Sequence, residues 1–174
     1  MNIALIGKTG SGKTTLAKRL SQEFGLEIIN GGENVRKYIK AKGKDWEIAE
    51  ECLKTGKIPP LEICMNALQL HLEISSSKSF IYDNAILIDG FIVFEKYHKY
   101  DYIFYLDVAD ESAEQRIISR ARDNDVEAFI KTRNEWFSEN FQNLKNFLGD
   151  RMITINANVS ADAVYEQVKK YLVN

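Results

Sequence analysis

Eight consecutive residues near the N-terminus have the types and spacing that bind phosphate groups. The run Gly7-Lys8-Thr9-Gly10-Ser11-Gly12-Lys13-Thr14 satisfies the pattern G-x-x-x-x-G-K-[ST], with an apolar run before it and an amphipathic segment after it. The glycines let backbone N–H groups turn toward phosphate oxygens, and the following helix adds the positive end of its dipole. A glycine-rich turn that only starts a helix does not explain the Lys-Thr pair. We expect these residues to bind a nucleoside triphosphate: Gly7, Gly10, Ser11, Gly12, Lys13, Thr14 and Thr15.

Two of these side chains have specific chemistry. In such loops the lysine reaches the β- and γ-phosphates, and the hydroxyl that follows it binds Mg²⁺. The sequence therefore predicts ATP with Mg²⁺ as the ligand, with Lys13 on the phosphates and Thr14 on the metal.

A second candidate for the metal site is an acidic residue that ends an apolar run, in Ile86-Leu87-Ile88-Asp89. We expect this run to be a strand, with Asp89 at its carboxyl end helping to hold the metal. Asp89 alone is as well explained as a turn residue beside Gly90. The phosphate-binding loop favours the metal role, because ligands of open parallel sheets gather at the carboxyl ends of the strands.

Five apolar runs of strand length alternate with segments of helical period. A helix stripe is formed by Leu16, Leu20 and Phe24, and Ser160 is a plausible N-cap of the last helix. This alternation predicts an α/β fold, a three-layer α/β/α P-loop domain with a five-stranded parallel sheet. The predicted strands are Ile3–Ile6, Glu27–Ile29, Ala85–Ile88, Tyr102–Leu106 and Met152–Ile155.

Composition limits the classes of function. A length of 174 residues predicts a single domain spanning 1–174, and a net charge of −2 lacks the basic surface of a nucleic-acid binder. Cys52 and Cys64 match no metal or redox spacing, which favours free thiols. Met1 leads directly into an apolar run too short to cross a bilayer, with no charged leader, and we expect a cytoplasmic protein.

Further segments, taken in order, resemble the adenylate kinase family of nucleoside monophosphate kinases over nearly the whole chain. Residues 29–36, I-N-G-G-E-N-V-R, are similar to the family's acceptor segment I-S-x-G-D-x-L-R, and Ile88-Asp89-Gly90-Phe91 matches the first part of its D-G-F-P-R. The order and spacing carry the resemblance more than any one segment beyond the phosphate loop. The other matching segments are Thr55–Glu62, Tyr102–Val108, Gln115–Arg120 and Arg133.

The resemblance implies phosphoryl transfer from ATP to a nucleoside monophosphate by a site rich in arginine. Arginine grips phosphate with a planar fork and stays charged, so it suits a reaction that brings anions together. Any single arginine is more often a solvated surface charge, but the set in family order favours function. By resemblance Arg36 holds the acceptor phosphate, Arg116 stacks on the donor base, Arg120, Arg122 and Arg133 surround the transferring group, and Gly32, Glu33, Asp89 and Gly90 line the acceptor site.

The resemblance also implies an acceptor-binding helical region at about residues 31–75 and a short lid at about 120–128. Only Asp123-Asn124-Asp125 separates Arg122 from the next helix, for which Asp125 is the expected N-cap, as in uridylate–cytidylate and cytosolic adenylate kinases. Because the acceptor is already a phosphate oxyanion, no general base is needed. His71 and His98 are therefore expected to lie outside the chemistry. A monomer is implied by the same resemblance.

Some positions depart from the family. Ile92-Val93 stands where Pro-Arg is usual, so one acceptor arginine is missing, and Lys96 is close enough in sequence to replace it. Gly31 stands where a small side chain is usual, and the glutamine that reads adenine has no counterpart. The acceptor base therefore stays open.

Two other functions stay open at this point. A kinase for a small hydroxyl-bearing metabolite, of the shikimate or gluconate kinase type, would need a general base, and Glu33 could serve. A nucleotide-binding module without catalysis is supported by the missing arginine at Val93. An intact set of donor-site residues argues against the second of these.

Overall fold

The computed structural model of the chain describes residues 1–55, 57–83, 87–120 and 127–173, and the side chains of residues 120 and 127–133 are outside it. Strands and helices alternate in the described parts, as the apolar pattern predicts. The elements are β1 Asn2–Ile6, α1 Lys13–Phe24, β2 Glu27–Asn30, α2 Gly31–Lys40, α3 Trp46–Lys54, α4 Leu61–Ile74, β3 Phe80–Asp83, α5 Ile88–Glu95, β4 Tyr102–Asp107, α6 Asp110–Arg120, α7 Glu127–Leu148, a 3-10 turn Gly149–Arg151, β5 Met152–Asn156 and α8 Ala161–Leu172.

The five strands form one parallel sheet in the order β2-β3-β1-β4-β5. The prediction of a five-stranded parallel sheet is confirmed. β1 lies in the centre, with Leu5 opposite Asp83 on β3 and opposite Phe104 on β4. Every residue of β1 is buried, because helices cover both faces of a parallel sheet. The strand order reverses at β1, and open parallel sheets bind their ligands at such a point, beyond the carboxyl ends of the strands.

The helices cover the two faces with separate hydrophobic cores. Ile3 and Leu5 face a core with residues of α1 and α8, whereas Ala4 and Ile6 face a core with residues of α4, α5 and α7. Side chains of a strand alternate between faces, so β1 contributes to both layers. The three-layer α/β/α prediction is therefore confirmed. A third, smaller cluster joins α2, α3 and α4 and contains Val35, Tyr38, Ala49, Ile63 and Ala67.

The position of the third strand was predicted wrongly. The third strand is Phe80–Asp83, and Ile88, the predicted last residue of the strand Ala85–Ile88, is the first residue of α5. Both runs are apolar and both end in an aspartate. They differ in period, because Phe91 and Phe94 follow Ile88 at intervals of three and are fully buried, which is the spacing of a helix face. Residues 84–86 lie outside the described residues.

The other helix predictions agree with the structure at their buried faces. Leu16 and Leu20 of α1 are buried, and the Ser160 hydroxyl caps α8 by accepting from the N–H of Ala163 at 3.2 Å. The predicted cap Asp125 lies outside the described residues. Cys52 and Cys64 are free thiols and half-buried. Among the helices described, none has the length and apolar character needed to span a membrane.

Candidate active site

The loop between β1 and α1 has the backbone of a phosphate cradle. Gly10 and Gly12 have φ values of 88° and 95°, a region that side-chain-bearing residues rarely adopt. A Cβ atom at Gly10 would lie 2.5 Å from the carbonyl oxygen of Ala113 on α6, whereas one at Gly12 would meet open space. Within α1, no side chain caps the helix and no acidic residue lies in the first turn. The positive end of α1 is therefore left for an anion.

The side chain of Lys13 folds back over the phosphate loop. Lys13 is 8% exposed, and its Nζ donates to the carbonyl oxygens of Gly7 at 2.5 Å and Lys8 at 2.8 Å and to Ser11 Oγ at 3.2 Å. These contacts keep the ammonium group over the loop, at the start of α1. The structure thus places the Lys13 ammonium within the phosphate loop, and its role on the phosphates stays a prediction.

A buried carboxylate lies against the hydroxyl of Thr14. Thr14 Oγ1 donates to Asp83 Oδ2 at 2.9 Å, and Asp83, at the carboxyl end of β3, is 1% exposed. Its other oxygen, Oδ1, is buried without a hydrogen-bond partner in the described part of the chain. A buried carboxylate oxygen without a donor is unfavourable unless a cation compensates it. Thr14 and Asp83 therefore fit a divalent cation.

The number of ligands is compatible with magnesium. Across the described residues, no three His, Cys, Asp or Glu side chains cluster as a metal site. Mg²⁺ bound beside phosphates uses only one or two carboxylates, with phosphate oxygens and water as its other ligands.

The aspartate predicted for the metal lies elsewhere. Asp89 is exposed in the first turn of α5 and does not end a strand, so the expectation that it stands at the sheet edge beside Gly7 is corrected. Asp83 has that place. The next residue, Gly90, is buried, and a Cβ there would lie 3.1 Å from the hydroxyl of Tyr82. Gly90 therefore allows α5 to pack closely on β3.

Lys96 is not positioned to replace the missing arginine. It is exposed at the C-terminal end of α5, and three residues later the Lys99 carbonyl accepts from Asn2 Nδ2 at 2.9 Å. Asn2 begins β1, so α5 runs from the carboxyl edge of the sheet to the amino edge. Lys96 therefore lies toward the edge opposite the phosphate loop.

The predicted acceptor residues lie at the start of α2, next to the carboxylate. The Asn30 side chain caps α2 by accepting from the N–H of Glu33 at 3.2 Å. A Cβ at Gly32 would lie 3.6 Å from both Arg36 Nη1 and Asn30 Oδ1. Arg36 is exposed, and in the described part of the chain it makes no hydrogen bond or ion pair. The guanidinium is thus at the same edge of the sheet and accessible to an anion.

Glu33 has the environment of a surface residue. It is exposed, and its carboxylate lies 3.9 Å from the ammonium of Lys37 one turn later. An exposed pair of this kind contributes little to stability.

Helix α6 lies against the phosphate loop and carries Arg116. The Lys8 ammonium forms an ion pair with Asp110 at the start of α6. One turn after Ala113, Arg116 Nη2 donates to the carbonyl oxygens of Ala157 at 2.8 Å and Val159 at 2.9 Å, in the loop between β5 and α8. The guanidinium is therefore fixed beside the loop between β5 and α8, and its stacking on the base of ATP stays a prediction.

The remaining arginines are only partly located. The backbones of Arg120 and Arg133 belong to α6 and α7, but their side chains are not among those described. Arg122 and most of the predicted lid lie outside the described residues. The convergence of these three arginines on the phosphates stays a prediction.

His71 lies at the amino edge of the sheet, beside Glu27, the first residue of β2. It is 5% exposed, and its Nε2 lies 2.9 Å from Glu27 Oε1, while Ser75 Oγ donates to Glu27 Oε2 at 2.6 Å. Burial lowers the pKa of His71, although the nearby Glu27 carboxylate acts in the opposite direction. A cavity of about 240 Å³ adjoins these side chains. The group is separate from the phosphate loop.

The chain matches a known family over the part that carries this site. Residues 6–131 match a family described as an AAA domain, which includes the phosphate loop, β3 and the start of α7. The chain belongs to this AAA-domain family. The match spans well over half of the chain, including both Lys13 and Asp83.

Individual relatives of this AAA-domain chain are kinases by name. The adenylate kinase of Corynebacterium urealyticum is 28% identical, over 95% of this chain and 96% of its own length. UMP-CMP kinase 3 of Arabidopsis thaliana is 27% identical, over 96% and 86%, and adenylate kinase isoenzyme 1 of Rattus norvegicus is 26% identical, over 98% and 93%. These similarities confirm the resemblance to the adenylate kinase family.

Sequence reasoning missed two residues of the site. Asp83 had a signal, because Phe80-Ile81-Tyr82 is aromatic and β-branched and ends in an acid, but the later run ending in Asp89 was preferred. Asn134 had none. Its Oδ1 accepts from the N–H of Thr9 in the phosphate loop at 3.0 Å, a contact between residues 125 positions apart. Asn134 directly follows Arg133, so this contact places that part of α7 beside the loop.

Proposed function

We propose that this AAA-domain family member transfers the γ-phosphoryl group of ATP to the phosphate of a nucleoside monophosphate. One observation carries the proposal. The phosphate loop with Lys13, the buried Asp83 carboxylate and the exposed Arg36 guanidinium lie side by side at the carboxyl edge of one sheet. The relatives named above support the same reaction.

The donor side binds and orients ATP. Backbone N–H groups at the start of α1 and the Lys13 ammonium bind the phosphate chain, and Thr14 and Asp83 hold Mg²⁺. When bound, Mg²⁺ neutralises charge on the phosphates and fixes their geometry. The two hydrogen bonds of Arg116 lie in the plane of its guanidinium, so a face of that group is available to stack on the base.

The acceptor side needs no general base, only groups that bind the monophosphate. Arg36 is exposed at the edge beside Asp83 and grips the monophosphate through its fork. A phosphate oxygen is already a nucleophile, so no residue has to remove a proton. The second acceptor arginine of the family pattern follows the aspartate of D-G-F. Whether that aspartate corresponds to Asp83 or to Asp89, the sequence from Asp83 to Glu95 contains no arginine or lysine, so the acceptor phosphate depends on Arg36.

The lid and the remaining arginines complete the proposal. Arg120, Arg122 and Arg133 surround the transferring phosphoryl group, and the short lid at about residues 120–128 closes over it. Closure excludes water, which would otherwise hydrolyse ATP. The helices of residues 31–75 bind the acceptor nucleoside, with Gly32 and Glu33 at the start of α2, and Gly90 sets how closely α5 packs beside that region.

The proposal extends to the setting of the enzyme. We infer one domain that works as a monomer in the cytoplasm, with nucleotides as its partners and no nucleic acid. The net charge of −2 supports the last point.

The two alternatives are less well supported. A hydroxyl kinase would use Glu33 as a base, but Glu33 is exposed and paired with Lys37. A non-catalytic nucleotide-binding module is opposed by the relatives named above, which are kinases by name.

A coupled assay for ADP tests the proposal. The panel contains the common ribo- and deoxyribonucleoside monophosphates, each with ATP and Mg²⁺, and ATP alone as the control. We expect at least one monophosphate to accelerate ADP formation well above the control, and the Glu33→Gln variant to retain that rate within a few-fold. ADP formation that no monophosphate accelerates refutes the proposal, and abolition by Glu33→Gln favours the hydroxyl kinase.

A further inference from the structure

Asn30 uses both ends of its side-chain amide. Its Oδ1 accepts from the N–H of Glu33 at 3.2 Å and caps α2, while its Nδ2 lies 3.4 Å from Asp83 Oδ2 as a donor. It ends β2 and pairs in register with Asp83, which ends β3. One side chain thus contacts both the start of α2 and the buried Asp83 carboxylate.

The contact bears on how Asp83 is oriented. Its Oδ2 receives two donors, Thr14 Oγ1 at 2.9 Å and Asn30 Nδ2 at 3.4 Å, whereas its Oδ1 is buried with no donor among the described residues. Two donors on one oxygen resist rotation of the carboxylate. The free oxygen is thereby held in one direction.

We propose that Asn30 is a positioning residue: its Nδ2 orients the metal-binding carboxylate of Asp83, while its Oδ1 separately caps α2. Hydrogen-bonded partners of ligating carboxylates commonly control metal affinity. The part of this inference that concerns the acceptor rests on the proposed function, because that function assigns the acceptor phosphate to Arg36. The part that concerns the metal requires only that the phosphate loop binds a nucleotide.

Serine separates the two roles of Asn30. A serine at an N-cap accepts a hydrogen bond about as well as asparagine. It is shorter and has no amide to reach Asp83. Asn30→Ser therefore keeps the cap and removes the contact with the carboxylate, whereas Asn30→Ala removes both.

The experiment measures metal binding directly. Mn²⁺ affinity is determined by electron paramagnetic resonance in the complex with a non-hydrolysable ATP analogue, for the full chain and its variants. We expect Asn30→Ser to weaken Mn²⁺ binding about tenfold, with an unchanged thermal midpoint. Asn30→Ala should show the same loss of Mn²⁺ affinity and a midpoint lower by about 3 °C, because the cap is also gone.

Two controls separate the contact with Asp83 from the helix cap. In an Asp83→Asn background, Asn30→Ser should change Mn²⁺ affinity less than twofold, since the two residues act through one contact. Calorimetry with adenosine and uridine monophosphates, without metal, should give the same affinity for Asn30→Ser as for the parent chain, because α2 stays capped.

The outcomes are distinct. Wild-type Mn²⁺ affinity in Asn30→Ser overturns the proposal, as does a thermal midpoint that falls as far as in Asn30→Ala. A full second loss in the Asp83→Asn background also overturns it. If neither monophosphate binds the parent chain, the proposed acceptor role of Arg36 is in question, while the Mn²⁺ comparison still decides the role of Asn30.

Discussion

The proposed donor and acceptor sides of this site are built in different ways. On the donor side Lys13 and Asp83 are 8% and 1% exposed, and both make hydrogen bonds within the fold. On the acceptor side Arg36 and Glu33 are exposed at the surface of α2. One side is part of the core of the sheet, and the other is attached to it through a separate small cluster of α2, α3 and α4.

The difference in burial bears on the positions where the chain departs from the adenylate kinase pattern. In the proposed function, the donor residues Lys13 and Asp83 are buried, so a change there would disturb the fold as well as ATP binding. The proposed acceptor residues are exposed, so a change there would mainly affect ligand binding. The departures at Gly31 and in the segment after Asp83 fall on or near the acceptor side, which is where a different base or sugar would be accommodated.

The largest effect is expected for the buried carboxylate. Asp83→Asn should lower kcat about 100- to 1,000-fold, because it removes the negative charge that holds the cation beside Thr14. Steady-state kinetics at saturating ATP and Mg²⁺ measure the loss. Asp89→Asn is the matched control and should stay within twofold, since Asp89 is exposed on α5. The reverse pattern would restore Asp89 as the metal residue and refute the reassignment.

Arg36 tests the acceptor side by itself. Arg36→Ala should raise KM for the monophosphate about 10- to 100-fold, the value of a lost charge-assisted hydrogen bond to phosphate. The affinity for ATP, measured by calorimetry, should not change. Lys37→Ala removes a neighbouring exposed cation from the same helix and should affect neither. An equal loss of ATP affinity in Arg36→Ala would show that the two sides are not separate.

Two glycines test how tightly the donor cradle is built. Gly12→Ala should cost about 1–2 kcal/mol of unfolding free energy, from left-handed backbone strain alone. Gly10→Ala should cost about 1–3 kcal/mol more, because its Cβ would also lie 2.5 Å from the Ala113 carbonyl oxygen. Urea unfolding measures both. Equal costs would mean that α6 does not pack against the loop as described.

The smallest effect concerns His71 and the pH dependence of stability. Burial lowers the pKa of His71 in the folded state, so the unfolded chain binds more protons below the usual pKa of histidine, about 6.5. Stability is therefore full above that pH and falls as the pH drops through it. His71→Gln should reduce the difference in urea midpoint between pH 7.5 and pH 5.5, with kcat at pH 7.5 unchanged. An unaltered difference would show that His71 does not contribute to acid sensitivity.

The sequence predicted the fold well and the site in part. The phosphate loop is local, so its residues, the strand before it and the helix after it could all be read from one run of the chain. The third strand could not, because two apolar runs ending in aspartate lie six residues apart and only packing distinguishes them. Arg36 is predicted through the family resemblance alone, and its role stays a prediction. The contacts of Asn30 with Asp83 and of Asn134 with Thr9 join distant parts of the chain and leave no local pattern.

Tracing the γ-phosphoryl group tests the central claim most directly. The chain is incubated with ATP labelled with ³²P at the γ position, Mg²⁺ and the monophosphate that accelerates ADP formation most, and the products are separated by chromatography. Lys13→Met, which retains an apolar stem but no ammonium group, serves as the control. We predict that the label appears in the nucleoside diphosphate formed from the acceptor, at a rate at least a hundredfold lower in Lys13→Met. Label found only in inorganic phosphate would contradict the account.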